Sequence, residues 1–416
     1  MTQAGGKKLT LAQNSLLNTI GTVVFYVCQW ALTLLVVRMG TEADVGTLQL
    51  ALTVTNIFTS LANYNMRAFQ VSDIRNEYTA GHYVASRLVT GLLALVTCMV
   101  YSLLWGYGGI SLLCIGLYMG YRLSESLGDV LHGIDQKHSR MDHVMVSYVL
   151  RGILMLACFW MALRWTGSLP AAIAGIAAVT WAVVLLYDLR SSARYESIRP
   201  RFEGEPLKRL LLACLPSVLA SVAFAAIVSL PRQVLGKMEG ETLLGFYATV
   251  ATPLVFVQVF LNSLMNPALG ALAESWEKND QRAFRALTLK MLLLIAAVGL
   301  AVLAGVLLLA EPVMMLLYGE TIRPYVCLMA PIVACTTMYA VCCVGFNLLV
   351  VLRKMVTLLW ISLGAVLVSA GAAAPMIRLF GANGVSWCVL ASYALFAGMS
   401  FFFVLRGLRE RNKESC

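Results

Sequence analysis

Arginine inside a long apolar run is costly, so each one away from the ends of its run is a candidate working cation. Two stand deepest, Arg122 in GYRLSESLGD and Arg151 in SYVLRGIL. Arg151 follows the start of its run by about eight residues of helix, too deep for easy snorkelling. A guanidinium is a planar fork that engages two oxygens of an anion at once. Arg122 is followed by Glu125 at i+3, so an internal ion pair competes with that role. Arg67 closes another run in RAFQVSD, with Gln70, Ser72 and Asp73 beside it, and plain anchoring of a helix end competes there. Gln29 and Asn56 are uncharged hydrogen-bonders within apolar runs. They suit a hydroxyl-rich ligand, or else bonds between helices worth about 0.6 kcal/mol each.

Other residues that could do chemistry read as structural. Arg38, Arg232 and Arg378 stand at run ends and are taken as anchors. His132, His138 and His143 share a stretch with Asp129, Asp135 and Asp142, but the spacing fits no zinc pattern, so a solvated turn is expected. Ten of the 11 cysteines fall in apolar runs, with no C-x-x-C, and read as small fillers between helices. Pro231 and Pro253 are candidate breaks in their helices. No metal and no cofactor is implied. The absence of a nucleotide-binding glycine loop argues against ATP as the direct energy source.

The elements that must hold these residues follow from composition. The chain has 416 residues, 60% hydrophobic and only 12% charged, with a mean hydropathy of +0.79. Soluble domains are about half apolar and a quarter charged. There is too little polar surface here to cover a globule, which excludes a soluble enzyme, a disordered chain and a disulfide scaffold. Twelve runs are long enough to span a bilayer at about 20 residues each. They cover 14–37, 43–64, 86–106, 108–128, 143–164, 169–187, 211–231, 243–265, 288–310, 325–350, 356–377 and 383–405. The first is too long for a signal-peptide core, and no small-residue cleavage site follows it.

With the N-terminus inside, 25 of the 31 Lys and Arg fall in cytoplasmic segments or the inner parts of spans, and 6 fall outside. That split predicts both termini in the cytoplasm. It also accounts for the net charge of +10 through topology and anionic headgroups, without nucleic acid as a partner. The outer connections are short, so no outer domain is expected. The longest inner link runs from Asp188 to Arg209, halfway along the chain. It divides the chain into a six-helix lobe (1–190), a linker (191–209), a second six-helix lobe (210–405) and a cytoplasmic tail (406–416).

The halves look duplicated. RMGTEADVGTLQLALTVTNIF (Arg38–Phe58) lies over GKMEGETLLGFYATVATPLVF (Gly236–Phe256), pairing Gly46 with Gly245. Further on, Asn65 pairs with Asn266 and Asp73 with Glu274, and GDVLHGIDQK (Gly128–Lys137) lies over GFNLLVVLRK (Gly345–Lys354). Six spans per half give both halves the same orientation, hence a pseudo-two-fold along the membrane normal. The predicted fold is all-α: twelve transmembrane helices in two parallel lobes around a central cavity, as in a transporter.

The segment NYNMRAFQVSDIRNEYTAGHYVASR (Asn63–Arg87) resembles the R-x-[FY]-Q-x-[ST]-D stretch, followed by a tyrosine and an arginine, of bacterial polysaccharide flippases. These belong to the multidrug/oligosaccharidyl-lipid/polysaccharide exporter superfamily and include O-antigen and capsule repeat-unit translocases. The turn Gly40–Gly46, NPALGALAESWEKND (Asn266–Asp280) and GANGVSWCVL (Gly381–Leu390) are similar as well. The resemblance implies a non-enzymatic flippase in the bacterial inner membrane. It would move an undecaprenyl-pyrophosphate-linked glycan from the cytoplasmic to the outer leaflet for lipopolysaccharide or another surface polysaccharide. Membrane lipids, a glycan polymerase and the glycosyltransferases of the pathway would be its partners. Such a substrate needs cations for its diphosphate and hydrogen-bonders for its sugars, so Arg67, Arg122, Arg151, Gln29, Asn56, Gln70 and Asp73 are the expected contacts.

Two other classes compete. A cation-coupled multidrug exporter of the same superfamily couples through acidic residues buried in a lobe, and spans one and seven contain neither Asp nor Glu. A membrane glycan polymerase or acyltransferase wants a large outer loop or intramembrane acid–base residues. The outer loops are short and all four histidines are expected in cytoplasmic links.

Overall fold

The computed structural model describes residues 10–73, 77–278 and 280–414, and every regular element among them is helical. The first part comprises α1 (Leu11–Met39), α2 (Glu42–Asn63), α3 (Met66–Ser72), α4 (Ala80–Leu104), α5 (Gly109–Lys137), α6 (Met141–Thr166), α7 (Leu169–Val183) and α8 (Leu189–Ser192). A π-helical turn, Val184–Asp188, joins the last two. Then come α9 (Gly204–Glu239), α10 (Glu241–Ala251), α11 (Leu254–Glu277), α12 (Gln281–Tyr318), α13 (Met329–Val351), α14 (Met355–Phe380) and α15 (Asn383–Glu414).

Several helix starts are written in the sequence. Thr10 with Gln13 and Thr41 with Asp44 form reciprocal capping boxes, which supply partners for backbone N–H groups that a first turn leaves open. Among the described residues, ten helices are long and apolar enough to cross a membrane, or eleven if the bent pair Glu241–Ala251 and Leu254–Leu261 is one span. Twelve were expected, and α5 accounts for the difference. It is long enough, but Arg122, Glu125, Asp129, His132 and Asp135 lie along it. Of the two prolines, Pro253 stands at a 45° break, whereas Pro231 lies inside the continuous α9. Leu104, Leu308, Leu316 and Leu367 are among many large apolar side chains left exposed, as a lipid-facing surface requires.

The chain forms two compact units, Met1–Val218 and Leu219–Cys416, each with its own interior. In the first, α5 packs on α2, α3, α4, α6 and α7, while α6 packs on α1 and α7. In the second, α13 packs on α11, α12, α14 and α15, α14 packs on α15, and Ser369 of α14 bonds the Ile227 carbonyl of α9. The same order of contacts thus recurs within each unit, and Gly128 and Gly345 fall in equivalent helices, α5 and α13.

The stretch around His132 is not a solvated turn. Helix α5 continues to Lys137, burying His132 and Asp135 on its inner face, while His138, which ends it, approaches the surface. Each of the four histidines meets residues 188–203. His132 faces Asp188 at 3.6 Å, His143 meets Ser191 at 2.6 Å, His138 stacks on Tyr195 at 5.0 Å, and His82 reaches Glu203 at 3.3 Å. The link after α8 is therefore tied to the first unit. Its backbone joins in, the Arg201 N–H donating to the Gly81 carbonyl at 3.0 Å.

Candidate functional site

Polar side chains gather inside the first unit around α5. Nearest its N-terminal half, Glu125 accepts from Arg122 at 2.5 Å, from Tyr121 at 2.7 Å and from Gln29 of α1 at 3.1 Å. The Gln29 amide also donates to the Tyr121 hydroxyl at 2.6 Å. Arg122 lies over the rings of Tyr118 and Tyr121 at 5.3 and 5.6 Å, where their negative faces attract it. The i+3 pair read from the sequence is formed, and it is part of a network rather than an isolated bridge.

One turn further on, Asp129 takes Arg67 of α3 on one oxygen at 3.2 Å and Arg87 of α4 on the other at 3.0 Å. Arg67 also donates to Gln136 at 3.0 Å, and Arg87 to the Ala62 carbonyl at 2.8 Å. Gln70 of α3 is buried against Gly133, where a side chain on α5 would collide with its amide. Helix α3 is set off from α2 by Tyr64 and Asn65, both in the left-handed region at φ 47° and 49°. Such a conformation is uncommon for a bulky residue. Contacts to α9 hold it, with the Tyr64 hydroxyl on the Leu211 carbonyl at 3.3 Å and the Asn65 amide on the Ser217 carbonyl at 3.4 Å.

Asp73 closes the turn after α3. Its carboxylate accepts the N–H groups of Glu77 and Tyr78 at 3.0 and 3.1 Å and the Tyr83 hydroxyl at 3.0 Å. Burial pushes this carboxyl upward, but those donors and Lys137 outweigh it and hold it below the usual carboxylate range.

Deeper in the unit, Arg151 and Asp188 form an ion pair in which both side chains are 1% exposed. The guanidinium fits because Gly128 faces it, and a methyl group on that α-carbon would fall on its nitrogens. Asp188 is carried inward by the π-helical turn, a device that recurs at functional sites. His132 packs edge-on against Tyr148 at 5.0 Å. Arg151 is thus sealed inside the unit, Arg67 and Arg122 are partly exposed at 22% and 18%, and Asn56 lies on an exposed face of α2.

The structure therefore draws Gln29 and Arg122 into one cluster and Arg67 and Gln70 into another, with Arg151 beneath and Asp73 bracing α3. Sequence reasoning missed Arg87, Asp129 and Asp188 as partners. Arg87 stood at the edge of an expected span, and Asp188 read as the first residue of the link. The spacing of Glu125, Gly128, His132 and Asp135 at three and four residues was the signal that one face of α5 is buried. Among the described residues, no group of His, Cys, Asp and Glu could hold a metal ion, and the ten cysteines there are free.

Residues 35–327 match the family described as "Polysaccharide biosynthesis protein". The chain belongs to that family. It is 23% identical over 303 residues to the capsular polysaccharide biosynthesis protein CapF of Staphylococcus aureus, covering 72% of this chain and 76% of that protein. Its fold is similar to that of solved transporter structures. An inward-facing multidrug resistance MATE family transporter matches with a TM-score of 0.73 at 15% identity, over 97% of this family member and 100% of that chain. A MOP superfamily transporter from Pyrococcus furiosus, described as having a binding pocket of reverse polarity, matches with a TM-score of 0.66 at 15% identity, over 95% and 94%.

Proposed function

We propose that this member of the polysaccharide biosynthesis family is a flippase. It would carry a lipid-pyrophosphate-linked oligosaccharide from the cytoplasmic to the outer leaflet of the bacterial inner membrane, with both of its termini in the cytoplasm. The observation that supports this most is the concentration of Arg67, Arg87, Arg122 and Arg151 in the first unit of a chain with a transporter fold. Arg67 and Arg87 share the single carboxylate of Asp129, a local excess of cation that suits a diphosphate. In this reading Arg67 and Arg122 meet the diphosphate, Gln29 and Asn56 meet sugar hydroxyls, and Arg151, Gln70 and Asp73 hold those groups in position. The pathway's glycosyltransferases would supply the substrate and a glycan polymerase would receive it.

The second reading is a cation-coupled drug exporter, favoured by the multidrug transporters that share the fold. Deleting the gene separates the two. A flippase deletion loses surface polysaccharide and accumulates its lipid-linked precursor in the inner leaflet, restored by the gene but not by the Arg67→Gln, Arg122→Gln double variant. Unchanged polysaccharide with heightened drug sensitivity would refute the flippase.

A further inference from the structure

Asp129 occupies the position that an anionic ligand of Arg67 and Arg87 would take. Each of its carboxylate oxygens serves one guanidinium, at 3.2 Å and 3.0 Å. The two arginines are held differently. Arg87 is 1% exposed and is tied to the Ala62 carbonyl as well, so it is fixed. Arg67 is partly exposed and has the uncharged Gln136 amide as a further acceptor. It rides on α3, which hangs from two successive left-handed residues instead of a continuous helix. Asp129 is itself 28% exposed, so its carboxylate is open on one side.

We propose that Asp129 is a built-in counter-ion. It fills the anion site of Arg67 and Arg87 while no ligand is present, and a diphosphate draws Arg67 away from it. This rests on the flippase reading and adds to it a competitor that limits how tightly the anion is held. Two guanidiniums in a low-dielectric interior are costly without an opposite charge. A carboxylate fixed on α5 supplies one negative charge. An arriving diphosphate brings more charge and more acceptor oxygens, and takes the movable arginine. When it leaves, the carboxylate returns, so neither arginine is left without a counter-charge. Displacing Asp129 weakens net binding, and a carrier that must release its cargo gains by that.

The test uses the full chain in nanodiscs of zwitterionic lipid, titrated with inorganic pyrophosphate as the probe. Asp129→Asn keeps the shape and removes the charge, and should bind pyrophosphate about tenfold more tightly than the unchanged protein. Adding Arg67→Gln should abolish that gain. Equal or weaker binding by Asp129→Asn, while Arg67→Gln alone weakens binding, overturns the counter-ion and leaves the anion site standing. Binding indifferent to Arg67→Gln removes the anion site as well. If Asp129→Asn does not fold, Asp129→Ser serves for the same comparison, and Asp129→Glu, which keeps the charge, must show no gain. Discs containing phosphatidylglycerol separate the two sources of phosphate. Pyrophosphate should still bind there, and its exclusion by the phospholipid overturns a diphosphate occupant.

Discussion

Arg151 and Asp188 offer the sharpest perturbation, because both side chains are sealed and each is the other's charge. Replacing Arg151 by Met leaves Asp188 buried with no cation paired to it beyond His132, at 3.6 Å, and the neutral Ser147 beside it. Leaving one member of a buried ion pair uncompensated costs about 3–5 kcal/mol. Asp188→Leu strands the guanidinium against Gly128 and should cost about the same. The double variant removes both charges at similar volume, and such exchanges run from neutral to stabilising by about 1–4 kcal/mol. The coupling in the cycle should therefore be at least about 6 kcal/mol, the two single costs together with a double that costs nothing. Thermal unfolding of the purified protein and the amount inserted in the membrane both measure it. The singles should be depleted and the double restored. Singles close to the unchanged protein, or a double as damaged as the sum, would refute the sealed pair. Surface polysaccharide adds a second reading, since a double variant with normal protein and no polysaccharide gives Arg151 a role beyond packing.

Three further outcomes follow from the same geometry. Gly128→Ala should lower stability by about 1–3 kcal/mol, because the new methyl displaces the Arg151 guanidinium. Gly120→Ala on the same helix, where a methyl meets nothing within 4 Å, should be neutral or slightly stabilising in the same melting measurement. Asp73 has a folded carboxyl held below its ordinary value, so its contribution is complete at neutral pH and is lost as pH falls through the folded value. Asp73→Asn should then cost about 1 kcal/mol near pH 7 and less near pH 3, read by melting at both. A reporter active only outside the cytoplasm should be silent when fused after Arg201 and active after Glu239, and the reverse pattern would refute the topology drawn from the charge split.

What was legible in the sequence was what depends on near neighbours. The Arg122–Glu125 pair and the break at Pro253 each involve residues a few positions apart or a single backbone property. What was hidden depends on which helices meet. Asp129 and Arg87 are 42 residues apart, and Arg151 and Asp188 are 37 apart. No local pattern marks either pairing. Asp188 was further masked by the apolar AVVLLY before it and the basic link after it, which together read as the end of a span. The π-helical turn that carries it inward has no signature in that stretch. The polar inner half of α5 misled in the opposite direction, since its charges suggested water when their partners lay on α3, α4, α6 and the turn after α7.

That pairing explains how a membrane lobe can keep four arginines at all. A guanidinium that faces lipid or a dry interior is expelled or neutralised unless a charge meets it. In this unit exposure grades the pairs. Arg151 with Asp188 is closed to solvent, Arg87 is closed while its partner Asp129 is open, and Arg67 and Arg122 with their carboxylates are partly open. A closed pair contributes to a defined arrangement of α5, α6 and the turn after α7, and it cannot exchange partners without unpacking. An open pair can exchange its carboxylate for a ligand's anion at a cost set by the difference between two charge-assisted hydrogen bonds, which is small. Ligand exchange should therefore be confined to Asp129 and Glu125, both on α5, with the closed pair holding that helix still beneath them.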